Sequence, residues 1–184
     1  MHGLVNNAAN NPTMSDDRDP AATRLERFDV NEWDADLRVG LTGAFLCAKH
    51  FSPLMPEGSS IVNISSDLGL IAPDQRLYRK EGVPDDRQPV KPASYSAVKA
   101  GLIGLTRYLA TYWEDGRIRC NALCPGGVEN GQDPVLQQRI RDRIPMGRMA
   151  THEEYHGALV FLLSPASAYV NGAVLAADGG RTTW

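Results

Sequence analysis

Apolar residues recur along this chain in two alternating patterns: short unbroken runs, and longer stretches in which they return every third or fourth position. The runs predict strands at Gly3-Leu4-Val5, Ile61-Val62-Asn63-Ile64, Ile118 to Leu123 and Ala173 to Ala177, each bounded by polar, Gly or Pro residues. The spaced stretches predict helices. Trp33, Leu37, Leu41, Ala44, Phe45 and Ala48 form one stripe behind a cap at Asn31 and carry a helix over 31–55, stopped by Pro53 and Pro56-Glu57-Gly58. A second helix over 93–113 is anchored by Leu102, Leu105, Leu109 and Tyr112, with Ala97, Ala100, Gly101 and Gly104 small enough for close packing. Asp133-Pro134 opens a short helix to about Ile144, and Thr151 with Glu154 is a capping box for a last one to Leu163.

Strand and helix thus alternate, which predicts an α/β fold, a parallel sheet with right-handed crossovers and helices on its faces. Two stretches follow neither period. Residues 10–22 read as a loop, and 73–92, with four prolines and many charges, as a long one, a candidate substrate lid. At 184 residues the chain is expected to be one domain, 1–184. A net charge of −3 leaves no basic surplus, so no nucleic-acid partner is expected, and a small-molecule substrate is. Cys47, Cys120 and Cys124 form no CxxC and read as free thiols of a reducing compartment. There is no signal-peptide pattern at the start and no membrane-length apolar run, which gives a cytoplasmic reading. Asn63-Ile64-Ser65 matches a glycosylation sequon but sits in a strand.

The candidate chemistry centres on Tyr95 and Lys99, four apart on the second long helix. That spacing puts a phenol and an ammonium on one face, about 6 Å apart, where positive charge lowers a phenol's pKa toward working pH. Ser65 and Ser66 leave a strand at its C-terminal end, where open α/β sheets bind ligands. His152-Glu153-Glu154-Tyr155-His156 matches HExxH, so a zinc hydrolase is a second class; against it, the motif lies in a first turn rich in capping residues, and only two other His exist.

Asn6-Asn7-Ala8, Ile64-Ser65-Ser66, Tyr95-x3-Lys99, Pro125-Gly126 and the closing Asp178-Gly179-Gly180, in that order, resemble the short-chain dehydrogenase/reductase family over nearly the whole chain. The resemblance implies a Rossmann-type doubly wound parallel sheet and an NAD- or NADP-dependent oxidoreductase. It would make Tyr95 the general acid/base, Lys99 the group that lowers its pKa and holds the nicotinamide ribose, and Ser66 the holder of the substrate oxygen. Asn6 and Ala8 would approach the adenosine side of the cofactor, and Pro125, Gly126 and Val128 the nicotinamide. It also implies a homodimer or homotetramer through helices 31–55 and 93–113. Ser65 to Gly69, Ala72 to Arg76 and Gly101 to Arg107 look like members that act in sugar or acyl-sugar biosynthesis.

The departures are informative. Gly40 stands where the family's Val-Asn-Leu-x-Gly-x-Phe pattern has a proton-relay Asn, Ala9 replaces a Gly, and Asn130 replaces a Thr after the Pro-Gly turn. The family's Thr-Gly-x3-Gly-x-Gly phosphate loop and second strand have no counterpart, so the fold is expected to be partial, about four strands, with the first strand's edge open. Lost cofactor binding, and a catalytically weak or inactive module that oligomerises, is the alternative.

Overall fold

Four strands, β1 (Gly3–Asn6), β2 (Ser59–Ile64), β3 (Ile118–Pro125) and β4 (Val174–Ala177), lie side by side in chain order in a computed structural model that describes residues 1–10 and 19–184. All three pairings are parallel: Val5 stands opposite Val62, Val62 opposite Asn121, and Ala122 opposite Val174. Parallel neighbours need a crossover. α1 (Val30–Leu37) and α2 (Gly43–Phe51) make the first, α3 (Ala93–Tyr112) the second, and α4 (Pro134–Arg141) with α5 (His156–Leu163) the third.

Both faces of the central strands are covered, which is why β2 and β3 read as unbroken runs rather than alternating ones. Ile61, Ile118 and Cys120 pack against Ala48 of α2 and Leu109 of α3; Val62 and Leu123 pack against Leu162 of α5. Burial pushes the Cys120 thiol up to about 12, consistent with an inert core cysteine, and Cys47, Cys120 and Cys124 are all free. On the α3 side a polar chain crosses the core. The Asn6 amide donates to Asn63 Oδ1 (2.7 Å), the Asn63 amide to Thr106 Oγ1 (2.8 Å), and Thr106 to the Leu102 carbonyl (2.8 Å). Asn63 is fully buried by this network, so its sequon is out of reach.

Several boundaries differ from the expectation. The first helix is capped by Asp29, whose carboxylate accepts from the Asn31 N–H, not by Asn31. It is also interrupted: Arg38–Thr42 form a π-helical turn between α1 and α2. The helix expected over 151–163 begins as a 3₁₀ turn, His152–Tyr155, with the Thr151/Glu154 capping box intact, and becomes α-helical only at His156. Residues 73–92 contain two 3₁₀ turns, Gln75–Tyr78 and Asp85–Arg87. Arg139 donates to the carbonyls of Leu77 and Arg79, and Arg143 to Asp74, which pins this segment onto α4. Of the loop expected over 10–22, residues 11–18 lie outside the described residues. β1 pairs with β2 alone among the described residues, and Val5 is 37% exposed. No described helix is long and apolar enough to cross a membrane.

Candidate active site

Because the strands are parallel, the segments that follow β1, β2 and β3 all emerge at one end of the sheet, and the N-terminal half of α3 runs beside them. The serine turn after β2 is locked onto α3. Ser65 Oγ donates to the Lys99 carbonyl (2.7 Å), and Gly69 presses so closely that a Cβ there would lie 2.9 Å from the Lys99 carbonyl carbon. Ser66 is thereby brought beside Tyr95. Its hydroxyl donates to Asp67 Oδ1 (2.8 Å) and accepts from the Leu68 N–H (3.2 Å), capping the short turn Asp67–Gly69. Asp67 is in turn held by Arg181 (2.7 Å).

The electrostatics differ from the expectation drawn from spacing. Lys99 Nζ donates to the Ile64 carbonyl (2.9 Å) and lies 5.7 Å from the centre of the Tyr95 ring. The expected lowering of the Tyr95 pKa is not found. Burial pushes the phenol up, the Ser66 hydroxyl beside it pulls down, and the Asp67 carboxylate pushes up. Spacing sets which Cα atoms are close, whereas the free main-chain carbonyl decides where the ammonium points. Burial also pulls Lys99 below the usual lysine range.

A different cation sits on the ring. Lys91 Nζ lies 3.8 Å from the Tyr95 ring centre, a cation–π distance, and burial pulls its pKa down to about 8. Lys91 was hidden in a segment with no period; its one trace in the sequence is a basic residue just ahead of the helix that carries Tyr95. Tyr78, from the same segment, is pushed up to about 12 by burial and feels the charges of Arg181 and Asp67.

The other expected residues rim this end of the sheet. Asn6 spends one amide N–H on Asn63, and Ala8 is exposed. Gly126 is needed for close approach, since a Cβ there would lie 2.9 Å from Asp178 Cα; its N–H donates to the Ala177 carbonyl and its carbonyl accepts from the Tyr155 hydroxyl. Pro125 ends β3, and Val128 pairs with Ala150. A cavity of about 10 Å³, roughly the space of one water molecule, is lined by Ala9, Asn10, Asp36, Gly40, Val98 and the Tyr95/Lys99 pair. Gly40 lies in the π turn, a feature that concentrates at functional sites. A Cβ on it would come 2.5 Å from Val98 Cγ1.

The HExxH alternative loses its helix: the 3₁₀ turn over His152–Tyr155 has three residues per turn, so His152 and His156 do not stack on one face. Glu154 caps its own turn and bridges Arg148 (2.6 Å). Among the described residues no group of three or more His, Cys, Asp or Glu side chains is placed to hold a metal.

Comparison with known proteins agrees with the fold. Residues 1–80 and 86–182 match the family described as enoyl-(acyl carrier protein) reductase. A cis-4-hydroxycyclohexanecarboxylate dehydrogenase of Sinomonas cyclohexanicum is 36% identical over 86% of this chain and 59% of its own length. A gluconate 5-dehydrogenase from Burkholderia cenocepacia, solved with NADP and tartrate, superposes with a TM-score of 0.81 at 30% identity, covering 100% of this chain and 66% of that one. A short chain dehydrogenase from Leptospira borgpetersenii with bound NAD+ gives a TM-score of 0.79 at 29% identity, covering 98% and 65%. Across relatives 32–36% identical, the chain spans 29% to 74% of their length. With the parallel sheet, the ordered motifs and these matches all in agreement, the chain belongs to the short-chain dehydrogenase/reductase family.

Proposed function

We propose that this chain carries the catalytic half of an NAD- or NADP-dependent oxidoreductase that interconverts a secondary alcohol and a carbonyl on a sugar-like small molecule, with Ser66, Tyr95 and Lys99 as its catalytic residues. The observation that carries the reading is the meeting of Ser66 and Tyr95 beside Lys99 at the ligand-binding end of a parallel sheet. The related gluconate 5-dehydrogenase, solved with NADP and tartrate, supports the cofactor and the substrate class.

Lys99 uses one of its three N–H groups on Ile64, which leaves two for ribose hydroxyls. Gly126 and Val128 offer a small surface for a flat amide-bearing ring, the Gly126 main-chain groups being already bonded to Ala177 and Tyr155. The 184 residues contain no Thr-Gly-x3-Gly-x-Gly segment and so offer no matching pyrophosphate cradle. The chemistry the cofactor supplies is hydride exchange at the substrate carbon. Tyr95 then exchanges the proton on the substrate oxygen, and Ser66 hydrogen-bonds that oxygen as its charge changes. The segment 73–92 serves as the lid, bringing Tyr78 and Lys91 over the site.

The test is titration of the intact chain with NADH and NADPH, followed by turnover with and without Tyr95→Phe. Binding, and turnover that Tyr95→Phe abolishes, is expected. If neither nucleotide binds at millimolar concentration, the second reading stands, a non-catalytic module that associates through its surfaces. The observation favouring that one is the β1 edge, paired on one side only among the described residues.

A further inference from the structure

Of the charged groups around Tyr95, all but one are matched. Arg181 is paired with Asp67 at 2.7 Å, Asp67 also accepts from Ser66 and Leu68, Lys99 is bonded to the Ile64 carbonyl, and Asp36 accepts from Ser94. Lys91 is the exception. Its ammonium lies over the Tyr95 ring and makes no hydrogen bond or ion pair with any of the described residues. Its position is not left to chance: its own N–H donates to Gln75 Oε1 (2.8 Å), the preceding Val90 N–H donates to Thr23 Oγ1 (3.0 Å), and Pro92 follows as the cap of α3. A half-buried cation held on an aromatic face, with none of its three donors bonded to a described residue, is free to take an anion.

We propose that Lys91 determines substrate specificity by binding a carboxylate of the substrate, so that the substrate class is a hydroxy acid or its oxo counterpart. This rests on the oxidoreductase reading above and sharpens its substrate. The ammonium stands on the face of the ring and not in line with the hydroxyl, so the carboxylate belongs near the reacting carbon without being attached to the proton-transfer oxygen. A carboxylate fits better than a neutral polyol for a physical reason: of these charges Lys91 alone has no bonded partner among the described residues, and an incoming anion supplies one.

The experiment is an NMR titration of the intact chain carrying ring-labelled tyrosine, with the Tyr95 signal assigned by Tyr95→Phe. D-gluconate and D-glucitol serve as probes, since they share a carbon chain and differ in the carboxylate. Gluconate is expected to move the Tyr95 signal with at least roughly tenfold higher affinity than glucitol, the scale of a charge-assisted hydrogen bond. Lys91→Met is expected to erase that preference and Lys91→Arg to keep it. Equal affinities for the two probes, no response to gluconate, or an undiminished preference in a folded Lys91→Met overturns the proposal. Should Lys91→Met fail to fold, pH replaces it. Wild-type affinity for gluconate is expected to fall as pH rises through about 8, where Lys91 loses its charge, and that of Lys91→Arg is not. The other charged groups around Lys91 are Asp67, Asp36 and Lys99, all retained in Lys91→Arg, so a fall common to both proteins also overturns it. Failure of NADH and NADPH to bind counts against the oxidoreductase reading alone, because this titration uses no nucleotide.

Discussion

Asp67 and Arg181, 114 positions apart, meet at 2.7 Å with side chains only 4% and 8% exposed. The bond ties the last turn of the chain to the serine turn beside Tyr95. Removing one partner strands a buried charge, so Arg181→Met alone is expected to cost about 3–5 kcal/mol, and Asp67→Leu with Arg181→Met distinctly less than the sum of the two. Urea unfolding of the single and double variants measures this; additive costs would show that the two side chains stand independently.

Tyr95 is expected to titrate above the ordinary value of 10 in this chain, because burial favours the neutral phenol. Ser66→Ala removes the one opposing contact and is expected to move it higher still. The sign for stability follows: the contribution is complete below pH 10 and is lost as pH rises through the raised value. The ring-carbon shift of labelled tyrosine against pH reads the titration directly, and a value at or below 10 would mean that nearby positive charge outweighs burial.

Asp74 lies between Arg76 and Arg143, and the two guanidiniums hold its carboxyl well below the usual carboxylate range. Its contribution to stability is therefore present above pH 3.8 and is lost as pH falls toward the lowered value. Asp74→Asn is expected to flatten the acid limb of the stability curve and to speed hydrogen exchange in 73–92, since Arg143 joins that segment to α4 through this carboxylate. Exchange unchanged in the variant would show that the Arg139 contacts hold the segment unaided.

Two glycines on either side of Lys99 are expected to respond oppositely to alanine. At Gly69 a methyl would meet Lys99 main-chain atoms at 2.9 and 3.0 Å and push the serine turn off α3, at about 1–3 kcal/mol. At Gly104, inside α3, nothing lies within 4 Å of the added carbon, and the gain in helix propensity stabilises by up to about 1 kcal/mol. Thermal melts of the two variants decide it.

Phe45 and Phe51 on α2 and Tyr108 and Tyr112 on α3 are all more than 40% exposed. Such apolar surface on the two long helices is expected to pair two copies of the chain. Light scattering is expected to give a dimer or tetramer, and Phe45→Glu with Tyr112→Glu a monomer; a monomeric wild type refutes the pairing.

Where local chemistry decides the outcome, the sequence was a sound guide. β2 and β3 are apolar runs closed by turn residues, and Tyr95 and Lys99 share a helix face by periodicity alone. The π turn at 38–42 was not legible, because an apolar stripe at steps of three and four absorbs one extra residue per turn without breaking. Asp29 and Asn31 are both good caps two positions apart, and only the backbone chooses. The Asp67–Arg181 bond and the seat of Lys91 on Tyr95 depend on how distant segments fold back, which no local pattern carries.

The crowding of Gly40 against Val98 bears on which side chains position 40 can accept. An asparagine at position 40 needs the volume that the Val98 methyl fills, so introducing it alone damages the contact between the π turn and α3 before it can assist any proton. Val98 has to shrink first, and that step by itself leaves a void in the contact with Ala44 and Leu102. Either substitution alone begins with a loss, so an amide at position 40 requires both positions to change together.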